Sequence, residues 1–180
     1  GGSGVNPSIT TVGTSQLVCA AGTWQNETGQ SSCNAAAAGY YSLGTTTLNG
    51  AVTNLANQQV PCAVGTYQDQ GAQDSCDDAD AGYYVDSTGQ SSQNYCAVGT
   101  YQDLTGQSSC DDAEAGYFSL GTITQNGVVT NLADKQFACV GGTYQASTGQ
   151  SSCDDTDAGY YSEGTSVVNG IVTNLANQQI

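Results

Sequence analysis

Positive charge is almost absent from this sequence. Its 180 residues include one Lys, Lys135, with no Arg and no His, against sixteen Asp and Glu residues, so the formal net charge is −15 at pH 7. Nucleic acids and anionic membrane surfaces are bound through clusters of Lys and Arg. The composition therefore excludes both kinds of partner and leaves cations, neutral glycans and other protein surfaces.

The lack of His also removes the usual general base for a Ser or Cys nucleophile. A carboxylate pair is formally an alternative, but loops of small residues offer no obvious pocket that would raise the pKa of one carboxyl group. We therefore expect no enzyme activity and no required cofactor. No signal peptide and no apolar run of about 18 residues is present, so we expect no membrane insertion in this segment.

Hydrophobic residues make up only 38% of the chain, below the roughly 45–50% of globular domains, so a single large core is not expected. Cys is abundant, however, with eight residues. Zinc sites built from reduced thiols usually recruit some His, whereas disulfides form in oxidising compartments. We therefore predict an extracellular or cell-surface protein.

The Cys residues reveal a tandem repeat, and a fixed repeat period indicates the type of architecture before individual motifs are considered. Thirteen residues separate the two members of each Cys pair, and each pair encloses a variant of Gly-Thr-Tyr-Gln and Thr-Gly-Gln-Ser-Ser. If each unit is self-contained, the economical pairing lies within the unit. The predicted disulfides are Cys19–Cys33, Cys62–Cys76, Cys96–Cys110 and Cys139–Cys153.

The repeats divide the chain into an extended N-terminal segment, 1–18, and repeats 19–61, 62–95, 96–138 and 139–180. Each Cys pair is followed by Ala-Gly-Tyr-Tyr or Ala-Gly-Tyr-Phe. The second repeat is short because it lacks a later segment, which contains Asn-Gly in the other three.

Turn chemistry predicts two hairpins in a full repeat. Asn-Gly between stretches rich in Thr and Val is typical of a type I′ hairpin. Within each Cys pair, Thr-Tyr-Gln predicts a strand, Thr-Gly a turn and Gln-Ser-Ser-Cys the return strand. No segment has helical periodicity. The predicted fold is all-β and irregular, an elongated tandem array of small disulfide-stapled β-hairpin repeats.

The phrase Cys-x-x-Gly-Thr-Tyr-Gln-x-x-Thr-Gly-Gln-Ser-Ser-Cys, followed by Ala-Gly-Tyr-Tyr, resembles the ephrin-receptor-like cysteine-rich repeat. Its Cys spacing is also similar to the first disulfide module of tumour necrosis factor receptor repeats. The resemblance covers residues 19 to about 161 and implies a rod-like extracellular architecture. Members of these families usually carry further Cys residues, where this chain has Asp, Ala, Thr and Glu, and their receptor functions are not carried over.

Acidic clusters follow the second Cys of repeats two to four, whereas repeat one has Asn-Ala-Ala-Ala there. Closely spaced carboxylates before Gly suit Ca²⁺, which takes 6–8 oxygen ligands. The alternative is an acidic turn that only keeps the array solvated, and the pattern is incomplete against an EF-hand loop. The candidate calcium ligands are Asp78, Asp80, Asp112, Glu114, Asp155 and Asp157.

Asn26-Glu27-Thr28 is a sequon for N-linked glycosylation in the first hairpin turn. The recurring aromatic pairs predict one ring packed between repeats and one near the surface, where it could stack on a sugar or a neighbouring chain.

Two function classes compete for such an array. Near identity of the units favours a structural protein, the protomer or segment of a surface filament, over an adhesive or ligand-binding ectodomain stalk that binds a protein, a glycan or Ca²⁺. Residues 174–180 match 54–60, which in the first repeat lead into the next repeat. We therefore predict head-to-tail self-association in which segment 1–18 completes the exposed end, or else one period of a longer polypeptide.

Overall fold

A computed structural model of the protein describes residues 16–180. Of the predicted assembly segment 1–18, residues 1–15 lie outside the described residues. The described chain has no helix, and so none that could cross a membrane. It forms ten two-stranded antiparallel sheets from strands of two to four residues. The predicted class, an all-β and irregular array of tandem hairpins, is confirmed.

The first kind of sheet lies in each disulfide-bonded unit and joins Thr-Tyr or Thr-Trp to the two residues after the second Cys. These sheets are β1 (Thr23–Trp24) with β2 (Asn34–Ala35), β7 (Thr66–Tyr67) with β8 (Asp77–Asp78), β11 (Thr100–Tyr101) with β12 (Asp111–Asp112), and β17 (Thr143–Tyr144) with β18 (Asp154–Asp155).

The predicted return strand, Gln-Ser-Ser-Cys, is therefore wrong. The physical reason is visible at Gln68, whose buried side chain donates a hydrogen bond to the carbonyl oxygen of Ser75 (3.1 Å) and accepts one from the amide of Gln70 (3.1 Å). The Gln side chain thus takes the place of a backbone ladder in this stretch, and backbone pairing resumes only at Asp77.

The second kind of sheet pairs the Tyr-Tyr or Tyr-Phe motif with the residues that precede the next Cys. These sheets are β3 (Tyr40–Tyr41) with β6 (Val60–Pro61), β9 (Tyr83–Tyr84) with β10 (Asn94–Tyr95), and β13 (Tyr117–Phe118) with β16 (Phe137–Ala138). In the fourth repeat, Tyr161 and Ile180 exchange two backbone hydrogen bonds of 2.8 Å in the same register.

The third kind of sheet is the predicted Asn-Gly hairpin, which is confirmed in repeats one, three and four. In the first, Leu48 pairs with Ala51 across Asn49 (φ 51°) and Gly50 (φ 79°), the two positive φ angles that a type I′ turn requires. The hairpins are β4 (Thr46–Leu48) with β5 (Ala51–Asn54), β14 (Ile123–Gln125) with β15 (Val128–Asn131), and β19 (Ser166–Val168) with β20 (Ile171–Asn174).

Each repeat contains two structurally equivalent coils. We call residues 19–35, 62–78, 96–112 and 139–155 the disulfide coils, and residues 36–61, 79–95, 113–138 and 156–180 the glutamine coils. The equivalence is clearest in repeat two, where Thr-Gly-Gln-Ser-Ser recurs before Gln93, and Gln93 stands where a disulfide coil has its second Cys. The Asn-Gly hairpin is an insertion into the other three glutamine coils.

Coils of each type stack on the next coil of the same type, and Gly makes this approach possible. Gly99 has φ +86°, and a Cβ atom there would overlap the carbonyl oxygen of Gly149 in the next disulfide coil. A Cβ atom at Gly39 would overlap the carbonyl oxygen of Gly89 in the next glutamine coil. Only Gly allows both the left-handed backbone and such close contact.

The fully buried side chains are small. Ala36, Ala79 and Ala113 are buried together with the first Cys of each pair, and among residues 16–180 the largest fully buried side chain is Val85. With so little apolar area to bury, the array is stabilised by disulfides and backbone hydrogen bonds between coils.

Candidate assembly surface at the two ends of the array

Three backbone hydrogen bonds define each internal junction between a glutamine coil and the next disulfide coil. At the junction of repeats three and four, the amide of Gly116 donates to the carbonyl oxygen of Gln145 (2.7 Å), and the amide of Ser119 donates to that of Gln150 (3.0 Å). In the opposite direction, the amide of Gly149 donates to the carbonyl oxygen of Ala113 (2.8 Å). The other two internal junctions repeat this pattern.

A Leu side chain adds a knob-into-hole contact wherever the later repeat carries the Asn-Gly hairpin. A Cβ atom at Gly82 would lie 2.6 Å from Cδ1 of Leu132, and Thr122 Oγ1 donates to the carbonyl oxygen of Gly82 at 2.9 Å. One repeat further on, Leu175 and Thr165 make the same contacts with Gly116. The hairpin base therefore closes each of these two junctions.

The last repeat exposes the surface that a following repeat covers elsewhere. Gly142 and Gly159 are exposed, whereas their six counterparts are buried, and nothing in residues 16–180 lies within 4 Å of a Cβ built at either position. Tyr160 and Tyr161 are 56% and 55% exposed. Within the described residues, the amides of Gly159 and Ser162 and the carbonyl oxygen of Thr156 form no bonds equivalent to those at the internal junctions.

The first repeat exposes the complementary surface. Gln25 is half-buried, while its three counterparts are at most 5% exposed. Within residues 16–180, the carbonyl oxygens of Gln25 and Gln30 and the amide of Gly29 form no junction bonds. Leu55 is 61% exposed, more than its counterparts Leu132 and Leu175. The groups left free at one end are thus the counterparts of those left free at the other.

Charge differs strongly between the two ends. The first repeat has one carboxylate, Glu27, whereas repeats two, three and four have six, five and four. At an internal junction, an acidic side chain lies against the following repeat. The carboxyl group of Asp112 in repeat three is 3.5 Å from the position that a Cβ atom on Gly149 in repeat four would occupy. A contact between the last repeat and a first repeat therefore places acidic groups against a nearly neutral surface, whereas two last repeats would repel each other.

No protein-family model matches this chain, and no curated protein is similar enough to count as a relative. The resemblance to ephrin-receptor-like and tumour necrosis factor receptor-like repeats therefore stays a prediction. The basis for assigning a function is the geometry of the coils and their junctions.

The four disulfides join the Cys pairs that the repeat predicts, and the described residues contain no free Cys. Their Cα atoms are 5.7–5.8 Å apart in every unit. Each bridge closes one disulfide coil and none crosses between repeats, so no disulfide holds one coil against another.

The candidate calcium ligands are separated by the structure into two sets. Asp78, Asp112 and Asp155 are exposed at the ends of the short strands of disulfide coils. The other three, Asp80, Glu114 and Asp157, hydrogen-bond to Gln side chains of the glutamine coils. Within residues 16–180, no three Asp, Glu, His or Cys residues lie close enough to hold one ion. Calcium binding stays a prediction.

These Gln contacts are a site that the sequence did not reveal. Gln93 accepts a hydrogen bond from the amide of Asp80 at 2.7 Å and donates one to the Asp80 carboxylate at 2.7 Å. Gln136 and Gln179 form the same pair of contacts, with Glu114 and Asp157. We call this arrangement the glutamine clasp, because it closes the glutamine coils of repeats two to four where a disulfide closes the neighbouring coil. In repeat one, Gln59 makes only the first of these contacts, accepting from the amide of Ala37 at 2.8 Å.

Replacing Gln93 with Ala is expected to destabilise the array by about 1 kcal/mol, because it removes a hydrogen bond to a backbone amide and one to a carboxylate. Urea unfolding of the two proteins would measure the difference. Gln70 is a suitable control, since its exposed side chain makes no hydrogen bond in the structure. Equal effects of Gln93→Ala and Gln70→Ala would mean that the clasp contributes no stability.

The remaining candidate residues are surface features. Asn26 is exposed in the turn of the first disulfide coil, as a glycosylation site requires, and its modification stays a prediction. Both rings of the aromatic pair are half-buried in repeats one and two and exposed in repeat four, which differs from the expected arrangement of one ring inside and one outside. Only repeat three is closer to it, with Tyr117 buried and Phe118 half-buried. Burial, with the carboxylates of Asp80 and Glu114 nearby, raises the pKa of Tyr67 and Tyr101 above the ordinary value for a phenol.

Proposed function

We propose that this protein is an extracellular structural protein without catalytic activity, and that it forms the protomer or segment of a surface filament by head-to-tail stacking. The observation that carries the proposal is the match between the two ends of the array. The last repeat presents the amides of Gly159 and Ser162 and the carbonyl oxygen of Thr156. The first repeat presents their complements by comparison with the internal junctions, which are the carbonyl oxygens of Gln25 and Gln30 and the amide of Gly29. An interface of this kind is heterologous and does not close, so it generates an open polymer.

The internal junctions supply the geometry for this contact. In the filament, Gly159 donates to the carbonyl oxygen of Gln25 in the next copy, as Gly116 does to that of Gln145 within the chain. The charge difference between the two ends favours this polarity over an end-to-end contact of two acidic repeats. A disulfide in every second coil suits such a rod to an oxidising environment.

The proposed contact can be tested by adding one methyl group to it. Gly142 has φ +86° and open space around it in the single chain, but in the filament it meets the carbonyl oxygen of Gly29 in the next copy. We expect the purified chain to show concentration-dependent filaments by sedimentation velocity and electron microscopy. Gly142→Ala is expected to remain folded and to lose filament growth.

Gly170→Ala is the matched control, because Gly170 has φ +76° and open space at a hairpin tip away from the contact. It adds the same methyl group to a similar left-handed backbone, and filaments are expected to persist. Wild-type protein that stays monomeric at all concentrations would show that separate chains do not make this contact. Filaments of Gly142→Ala as long as those of the wild type would show that the stacking site lies elsewhere.

A further inference from the structure

The surface of the last glutamine coil contains a hole with no knob in the described chain. At the two internal junctions of this type, the hole is the Gly of Gly-Tyr-Tyr or Gly-Tyr-Phe, and the knob is the Leu after the Asn-Gly hairpin of the next repeat. Gly159 is the equivalent Gly of the last repeat. Nothing within residues 16–180 lies within 4 Å of its Cβ position.

The first repeat carries the corresponding Leu side chain, which has no Gly of an earlier repeat to pack on within residues 16–180. Leu55 is 61% exposed, and it occupies the hairpin position that Leu132 and Leu175 occupy in later repeats. Its neighbour Thr45 accepts a hydrogen bond from the amide of Ala56 at 3.2 Å, as Thr122 does from that of Ala133 at 3.0 Å. Thr122 also donates to the carbonyl oxygen of Gly82, whereas Thr45 Oγ1 donates to no carbonyl of an earlier coil within residues 16–180.

We infer that Gly159 of one copy is the binding site for Leu55 of a second copy, with Thr45 of the second copy donating to the carbonyl oxygen of Gly159. This inference rests on the proposed filament and names its specificity-determining contact. The occupant follows from continuity with the internal junctions, where the same Leu and Thr residues dock on the same Gly. Repeat two cannot supply the knob, because it lacks the hairpin.

The contacts that remain available select one register for the filament. The disulfide coil of repeat two cannot cover the last repeat, because the carbonyl oxygens of Gln68 and Gln73 and the amide of Ala72 already bond to repeat one. Repeats three and four are covered within the chain in the same way, and their Leu side chains already contact Gly82 and Gly116. Among residues 16–180, the first repeat is thus the one surface that satisfies both the backbone and the Leu contacts.

The experiment combines a side-chain substitution with a cross-link. Leu55→Ala is expected to raise the protein concentration needed for filament growth about tenfold, the effect of losing roughly 1.4 kcal/mol of apolar burial. Leu48→Ala is the matched control, because Leu48 is 66% exposed on the same hairpin but lies next to its turn, away from its base. It is expected to leave this concentration unchanged.

A photoreactive amino acid at position 55 gives a readout that does not depend on the stability of the variant. It is expected to cross-link to the peptide that contains Gly159 of another copy, as identified by mass spectrometry. If wild-type filaments form but the cross-link maps elsewhere, or Leu55→Ala assembles like the wild type, the inference is overturned and the proposed function stands. If the wild-type chain does not assemble, this inference and the assembly of separate chains into a filament are both overturned.

Discussion

Replacing Gly99 with Ala is expected to destabilise the protein by about 3 kcal/mol or more. The substitution forces a non-Gly residue into the left-handed region at φ +86°, which costs about 1–2 kcal/mol. It also drives Cβ into the carbonyl oxygen of Gly149, and overpacking against a backbone that cannot move away adds about 1–3 kcal/mol. Two stacked disulfide coils must then separate.

Gly142→Ala isolates the first contribution, because Gly142 has the same φ of +86° but nothing around its Cβ position within residues 16–180. Its expected cost is the backbone strain alone. Urea unfolding of both variants, below the concentration at which chains associate, would give the difference directly. If the two substitutions cost the same, the coils are not stacked closely enough at Gly99 to exclude a methyl group.

Removing the Cys96–Cys110 disulfide with a double Ala substitution is expected to cost about 3 kcal/mol. The bridge joins residues 14 apart in sequence, and closing a loop of about 15 residues restricts the unfolded chain by that amount in the chain-entropy model. The array has little buried side-chain volume to compensate, since most of the buried residues among 16–180 are Ala, Cys, Ser and Gln. Repeat three should therefore open before the rest of the array.

Limited proteolysis with mapping of the cleavage sites would locate this opening, and urea unfolding would give its magnitude. Gln93→Ala provides the comparison, since it removes the clasp of the preceding coil without breaking a covalent bond. A double Ala variant that loses less stability than Gln93→Ala, or that is first cleaved in repeat one, would contradict the expectation.

Local chemistry made part of the fold predictable from sequence. Asn49-Gly50 favours a type I′ turn because both residues tolerate positive φ, so the hairpin and its position could be predicted from these two residues. Constant Cys spacing identified the disulfides because equivalent units have equivalent pairing. Both signals act within a few residues and do not depend on what packs against them.

The equivalence of the two coils was missed because its signal is weak. Gln93 replaces a Cys, yet Gln is common in this chain, and only the preceding Thr-Gly-Gln-Ser-Ser marks the position. The return strand was misplaced because the buried side chain of Gln68, and not a backbone ladder, holds the Ser75 carbonyl. Two-residue strands such as Asp77–Asp78 carry no periodicity that could correct the error.

The candidate assembly surface depends on contacts between residues far apart in sequence. Gly99 and Gly142 occupy the same motif and have the same backbone angle, but one is buried and the other is exposed. No local pattern distinguishes them. Only the arrangement of coils shows that one Gly meets a following turn and that the other is left free.

The missing Asn-Gly hairpin of repeat two also has a consequence for microscopy. Three repeats carry a protruding hairpin and one is smooth, so each protomer in a filament would display the sequence mark, blank, mark, mark along its length. Along a filament this gives one blank after every three marks. Averaged images could therefore count protomers without any label.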